Sequence, residues 1–204
     1  MSLTQEAPPT KTRLLDAAER LMLVKGFAAT SVEDICDAAE VTKGSFFHYF
    51  ESKDQLGQEV LERFCASGEK MHQAFCGEDA DPLKRVYNYI DNTIKMARDP
   101  AMSKGCLLGL FSQELCDTSP AIRAACKKGF ADWAKSLGEE LAKAKAAHAP
   151  KASFDPRELA EHLIAVMEGS MIIGKARGDM SVVARNLAHV KAYLTSLFGG
   201  KGAR

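Results

Sequence analysis

Five positions in this chain carry a start signal for a helix, and no stretch carries the pattern of a strand. Ser31 with Asp34 and Ser52 with Gln55 have capping-box spacing, in which a hydroxyl takes up a backbone N–H that the first helical turn leaves unpaired. Asp81-Pro82, Ser119-Pro120 and Asp155-Pro156 set a capping side chain before a proline, whose missing N–H and fixed φ suit the first helical residue. Nowhere do apolar and polar residues alternate with the β-branched richness of a strand. The expected fold class is all-α, with each marked position a break between helices.

Between these marks the apolar periodicity predicts a first helix over about Thr10 to Lys25, ended by Gly26, with Leu14, Ala18, Leu21 and Met22 on one face. Two short helices follow, near Val32 to Ala39 and Lys43 to Phe50, then a longer one from Lys53 to about Phe75. Beyond the break at Gly77 to Asp81 lie long helices near 82–98, 104–116, 120–147, 156–177 and 182–198. With 204 residues, 46% of them apolar, the chain can bury a substantial core, which excludes disorder and collagen-like structure.

The longest apolar run, Cys106 to Phe111, is far short of the roughly 20 residues a membrane span needs, so no membrane partner is expected. The polar, proline-bearing segment from Met1 to Pro9 lacks the form of a secretory signal, which points to the cytoplasm and to reduced cysteines at 36, 65, 76, 106, 116 and 126. No C-x-x-C pair occurs, and His72, His148, His162 and His189 lack metal-site spacing, so neither a metal nor a cofactor is expected.

The segment Thr30 to Phe50 is the most informative. Val32, Ile35 and Ala39 supply the inner face of one short helix, Val41 plugs the turn, and Phe46 and Phe50 supply the inner face of the next: a helix-turn-helix. With those rings inward, Thr42, Ser45, His48 and Tyr49 face out as a polar stripe suited to a major groove. Lys53 adds a charge at a helix N-terminus, a setting suited to phosphate. Bulk charge does not point to DNA, because residues 8–58 hold six Lys and Arg against eight Asp and Glu. The local balance does: within 42–53, Lys43 and Lys53 face only Glu51.

Residues from about 8 to 68 resemble the DNA-binding domain of the TetR family of transcriptional regulators. The match runs through Ala17-Ala18, Gly26-Phe27, Thr30-Ser31-Val32, Asp34-Ile35, Ala38-Ala39, Thr42-Lys43-Gly44, the aromatic run Phe46 to Phe50, and Ser52-Lys53. The resemblance implies that Thr30, Ser31, Thr42, Tyr49 and Lys53 hold phosphates, while Lys43, Gly44, Ser45 and His48 lie nearest base edges. Two positions depart from the family pattern. Phe47 stands on the same DNA face where Tyr is usual, removing a hydroxyl, and Glu40 occupies a turn position often held by Gly, at a cost of roughly 1 kcal/mol if that residue is left-handed.

The same resemblance implies that residues 69–204 form a helical ligand-binding and dimerisation domain, with the fourth helix joining the halves. Small residues and apolar stripes on the last two helices make Val166, Gly169, Ser170, Ile173, Leu187, Val190 and Leu194 the expected homodimer contacts, part of each stripe being intrachain core. Met96, Cys106, Leu107, Phe111, Phe130, Trp133, Met167 and Met171 are candidates to line a chamber for a small-molecule inducer. Cys106 has a reading of its own: with Ser103 capping a helix whose first residues are Lys104, Gly105 and Cys106, the thiolate is favoured. The segment Lys104 to Gly109, with Glu114-Leu115, also resembles a TetR subgroup in which some members sense electrophiles through this cysteine.

The expected function is therefore a ligand-responsive dimeric regulator, a repressor released from a palindromic double-stranded operator. A thiol-sensing repressor is the alternative within the class. An enzyme using Cys106 with Glu114 or a histidine as base lacks a supporting third group, so no catalytic residue is assigned. A helical adaptor that binds only protein is the alternative from another class.

Overall fold

The computed structural model describes residues 9–99 and 104–199. Among the described residues the chain forms nine helices and no strand: α1 (Thr10–Lys25), α2 (Val32–Ala39), α3 (Lys43–Tyr49), α4 (Lys53–Cys76), α5 (Pro82–Ala97), α6 (Leu107–Leu115), α7 (Pro120–His148), α8 (Pro156–Arg177) and α9 (Ser181–Leu197).

The start signals form the bonds their chemistry requires. Asp155 accepts from the N–H groups of Arg157 and Glu158, Asp81 from Leu83, and Ser119 from Ile122. At the start of α4 the Ser52 hydroxyl takes the Gln55 N–H, while the Gln55 side chain reaches back to the N–H of Glu51. One start differs from expectation. α6 begins at Leu107 rather than Lys104, because Gly105 has φ +96, which no α-helix contains. Ser103, the expected cap, lies outside the described residues. Cys106 consequently precedes the first turn instead of lying within it.

The chain divides into two compact units, and the division is not sequential. Of the described residues, 9–64 group with 107–126, and 65–99 and 104–106 group with 127–199. The first unit thus holds α1, α2, α3, the start of α4, and α6. Its core is made by Leu14, Met22, Ile35, Phe46, Phe50, Leu56 and Phe111, each at most 1% exposed. Burying a side chain of this kind contributes roughly 1.5–3 kcal/mol. On its surface Arg63 of α4 bonds Asp16 at 2.6 Å and Glu19 at 2.9 Å, tying α4 to α1.

The second unit is built on α5, most of α7, α8 and α9. Leu83, Ile90, Leu137, Leu141, Leu163, Leu187, Leu194 and Phe198 form its core. α8 and α9 are joined at Gly178, whose left-handed φ of 64 ends α8, and a Cβ on Gly174 would lie 2.8 Å from the Met180 sulfur. Polar ties then set the packing of α5: Tyr87 to Thr195 at 3.0 Å, Lys191 to Asp91 at 2.8 Å, and Arg85 to Glu140 at 2.7 Å.

Candidate nucleic-acid interface

The helix-turn-helix is set by local bonds before any long-range contact is made. Ser31 accepts from the Asp34 N–H at 3.0 Å, and Asp34 accepts the Ser31 N–H at 2.8 Å, closing the capping box. The Lys25 ammonium, 2.9 Å away, and the Ser31 donors hold the Asp34 carboxyl well below the usual carboxylate range. α2 ends at Glu40, whose φ of 54 and ψ of 50 are left-handed, and the Val41 N–H returns to the Cys36 carbonyl at 3.0 Å. Thr42 then caps α3 by accepting from the Ser45 N–H at 3.1 Å.

α3 advances about 100° per residue, so burial of Phe46 and Phe50 decides what faces out. Phe46 is 0% and Phe50 1% exposed. Thr42, Lys43, Gly44, Phe47, His48 and Tyr49 are exposed and Ser45 is half-buried. Phe47, 58% exposed, stands edge-on to Phe46 with centroids 5.2 Å apart, and His48 stands edge-on to Tyr49 at 4.8 Å. The outcome is a short rigid stripe of hydroxyls, rings and one lysine. Lys43 lies 3.4 Å from Glu33, an exposed pair of the kind worth about 0–1 kcal/mol, so a phosphate competes for it readily.

Two of the expected phosphate holders are turned inward. Thr30 is 0% exposed and its hydroxyl donates to the Gly26 carbonyl at 2.7 Å. The Lys53 ammonium donates to the carbonyls of Phe27 and Thr30, at 3.0 and 2.9 Å, and rests 4.3 Å from the centroid of the Phe27 ring. Both side chains are fasteners of the segment between α1 and α2. The two carbonyls and the ring face that engage Lys53 lie more than twenty residues away in sequence, so spacing alone does not reveal them. A further fastener escaped the sequence reading altogether: Glu114 of α6 accepts the N–H of Phe27 at 2.8 Å and that of Ala28 at 2.7 Å.

The candidate ligand residues separate. Leu107 and Phe111 belong to the first unit and are 0% exposed, with Phe111 edge-on to Phe27 at 5.6 Å. Met96, Cys106, Phe130, Trp133, Met167 and Met171 belong to the second unit; all but Met167 are half-buried. There Phe130 stacks on Trp133, whose indole N–H donates to the Tyr89 hydroxyl at 2.9 Å, and burial pushes that phenol up to about 12. The Cys106 thiol is hydrogen-bonded to the Glu168 carboxyl. Burial raises the pKa of Glu168 and the bond from Cys106 pulls it back, while Oε1 is buried without a partner among the described residues.

The expected dimer contacts separate too. Leu187, Val190 and Leu194, at most 5% exposed, lie in the core of their own chain. Ser170 is buried, donating to the Val166 carbonyl and accepting from Asn186 at 2.8 Å. Val166 and Gly169 are half-buried, with open space where a Cβ on Gly169 would stand, and Ile173 is 42% exposed. Ile172 and Tyr193 are 50% and 46% exposed, since an apolar stripe does not say which edge its own chain covers.

Comparison with known proteins agrees with this geometry. Residues 14–60 match the family model of bacterial regulatory proteins of the tetR family, and residues 82–190 match that of the tetracyclin repressor-like C-terminal domain. The chain is 30% identical to the transcriptional repressor DhaR of Mycobacterium sp. strain GP1, over 93% of this chain and 91% of that one. It is also 30% identical to the transcriptional repressor NemR of Escherichia coli K12, over 89% and 92% of the two chains. The crystal structure of reduced E. coli NemR superposes with a TM-score of 0.78 at 29% identity, covering 90% of this chain and 95% of that one. Both matched domains, and the outward stripe of α3 on its buried base, make the chain a member of the TetR family, a DNA-binding transcriptional regulator with a helix-turn-helix reading head.

Proposed function

We propose that the protein is a homodimeric repressor in which α3 of each subunit enters a major groove of a palindromic operator, and that a small molecule releases it. The carrying observation is the exposed stripe from Thr42 to Tyr49 on a base closed by Phe46 and Phe50. Ser31 and Thr42 cap their helices, and their hydroxyls with that of Tyr49, all on exposed residues, suit phosphates. Gly44 keeps the backbone clear, and Ser45, His48 and the apolar ring of Phe47 meet base edges and sugars. Residues 8–68 serve DNA, and residues 69–204 serve the ligand and the second subunit, in the cytoplasm where the operator lies. Ile172 and Ile173, one turn beyond the open face of Gly169, and Tyr193 at the His162 end of α8 are the exposed apolar side chains offered to the partner.

The test is selection of duplexes from a random pool by the full chain, followed by affinity measurement. A palindrome with half-sites about one helical turn apart is the expected product. His48→Ala should change the preferred base at one position of each half-site. Tyr49→Phe, which removes a hydroxyl expected on phosphate, should weaken all sequences alike by severalfold. Recovery of no sequence above the starting pool would sink the proposal.

A second reading, that Cys106 is a reactive thiol through which the repressor is released, is favoured by its half-buried position immediately before the first turn of α6. The likeness to NemR, whose solved form is described as reduced, points the same way. Treatment with a maleimide should free the operator from the wild type and leave the Cys106→Ser complex intact; release of both would remove this residue from the mechanism.

A further inference from the structure

The five residues from Gly26 to Thr30 join α1 to the reading head. Ser31, the cap of α2, follows directly, and α2 and α3 are bound to each other through the Val41 N–H and the Cys36 carbonyl at 3.0 Å. α2 and α3 pack on α1 through Ile35, Phe46 and Phe50, and Lys25 pairs with Asp34 at 2.9 Å, so this short segment adjusts the aim of α3 on that base. Its own bonds are few: Gly26 N–H to Met22 at 2.9 Å, Thr30 N–H to Phe27 at 3.1 Å, and the Thr30 hydroxyl to Gly26. The remaining anchors come from outside the helix-turn-helix.

Two of them are charged. Glu114 of α6 receives two adjacent N–H groups, one on each carboxylate oxygen, and Lys53 of α4 donates to two carbonyls of the same segment. Charge-assisted bonds of this type are about twice as strong as neutral ones. The surroundings are shaped to admit them. Gly26 has φ +87, and a Cβ there would stand 3.1 and 3.2 Å from the two Glu114 oxygens. Gly57 lacks the Cβ that would come within 2.7 Å of the Phe27 ring. α6 touches the segment twice from one face, since Phe111, three residues before Glu114, packs on Phe27.

We propose that Glu114, with Lys53 as its counterpart, is a positioning residue for operator binding: it touches no DNA, but fixes the segment that aims α3. This rests on the DNA-reading role of α3. It also separates Lys53 from phosphate contact, because two of its three donors are already engaged.

The experiment uses the full chain and the duplex selected by the wild type, with Glu114→Gln, Lys53→Met and the double variant. Glu114→Gln keeps the shape but replaces one acceptor oxygen with a donor group facing an N–H. It should weaken the selected duplex about tenfold. Affinity for a random duplex and the salt slope should stay at wild-type values, since no phosphate contact is removed. Lys53→Met should behave likewise, and the double variant should lose much less than the product of the two, because both act on one segment. A merely structural role would lower random and selected binding together along with the melting temperature, and that result overturns the proposal. So does wild-type affinity in folded Glu114→Gln. A salt slope lowered by about 1 in Lys53→Met would make it a phosphate contact and overturn its part. If the wild type selects no duplex, the DNA reading fails; if it selects one and Glu114→Gln binds it equally, only the positioning role fails.

Discussion

At the scale of single residues, the helix-turn-helix shows how little separates a tolerated position from a strained one. Glu40 is the one non-glycine residue with positive φ among the described residues, and it occupies the left-handed turn that ends α2. A side chain there costs roughly 1–2 kcal/mol, while a glycine would cost roughly 0.5–1 kcal/mol in unfolded-state entropy. Glu40→Gly should therefore stabilise the chain by about 0.5 kcal/mol and raise the melting temperature by about 1–2 °C. Glu40→Val, β-branched at the same φ, should lower it; calorimetry of the two variants in parallel checks both signs. The same reasoning explains why Lys53 is not where its type and spacing place it. A long cation with two carbonyls and an aromatic face within reach gains more from them than from water.

Among elements, the contact of α4 with α5 holds a titratable group in apolar surroundings. His72, 7% exposed, lies 5.0 Å from the Tyr89 ring, and its Nε2 is 3.6 Å from the Cys76 sulfur. Burial lowers its pKa below the ordinary 6.5; Glu69 and Glu140 work against that shift and Lys143 with it. A histidine whose folded pKa is depressed binds its proton more readily in the unfolded chain. The linked stability is complete above 6.5 and is lost as the pH falls through the folded value. Denaturant melts of the wild type should thus weaken as the pH drops from 7 towards 5. His72→Phe, which keeps a ring against Tyr89 and removes the proton site, should show a flatter profile over that range. Equal slopes in both proteins would exclude His72 as the cause.

For the whole molecule, the question is which apolar surface each chain keeps for itself. Leu194 is 0% exposed within its own chain, whereas Ile172 and Ile173 are 50% and 42% exposed. Leu194→Asp buries a carboxylate without a counter-charge and should cost several kcal/mol, yielding unfolded or insoluble protein. Ile173→Glu adds charge at an exposed site and should leave the monomer fold intact while abolishing the dimer. Gly169→Leu should do the same, because nothing in its own chain stands within 4 Å of the added Cβ. Light scattering at micromolar concentration, with circular dichroism for the fold, separates the outcomes. Dimeric Ile173→Glu would show that the partner sits elsewhere.

What the sequence alone determined is what depends on neighbours a few residues apart. The helix starts at Ser31, Ser52, Asp81, Ser119 and Asp155 are local bonds, and the register of Phe46 and Phe50 follows from a helical period, so the reading head and its outward stripe were legible. The tertiary structure alone decided the rest, for three physical reasons. A backbone N–H has no signature in sequence, so the capture of Phe27 and Ala28 by Glu114, 87 and 86 residues away, left no trace in it. An amphipathic stripe gives the direction of burial but not the identity of the surface that covers it. Leu187 and Leu194, the part of the stripes that the chain covers by itself, and Leu107 and Phe111, buried in the first unit, could not be told apart from exposed stripe residues by period alone. Backbone conformation at one glycine, φ +96 at Gly105, delayed α6 by three residues and took Cys106 out of its first turn. Each of these turned on which distant groups the packed chain brings together, an energy that no local window contains.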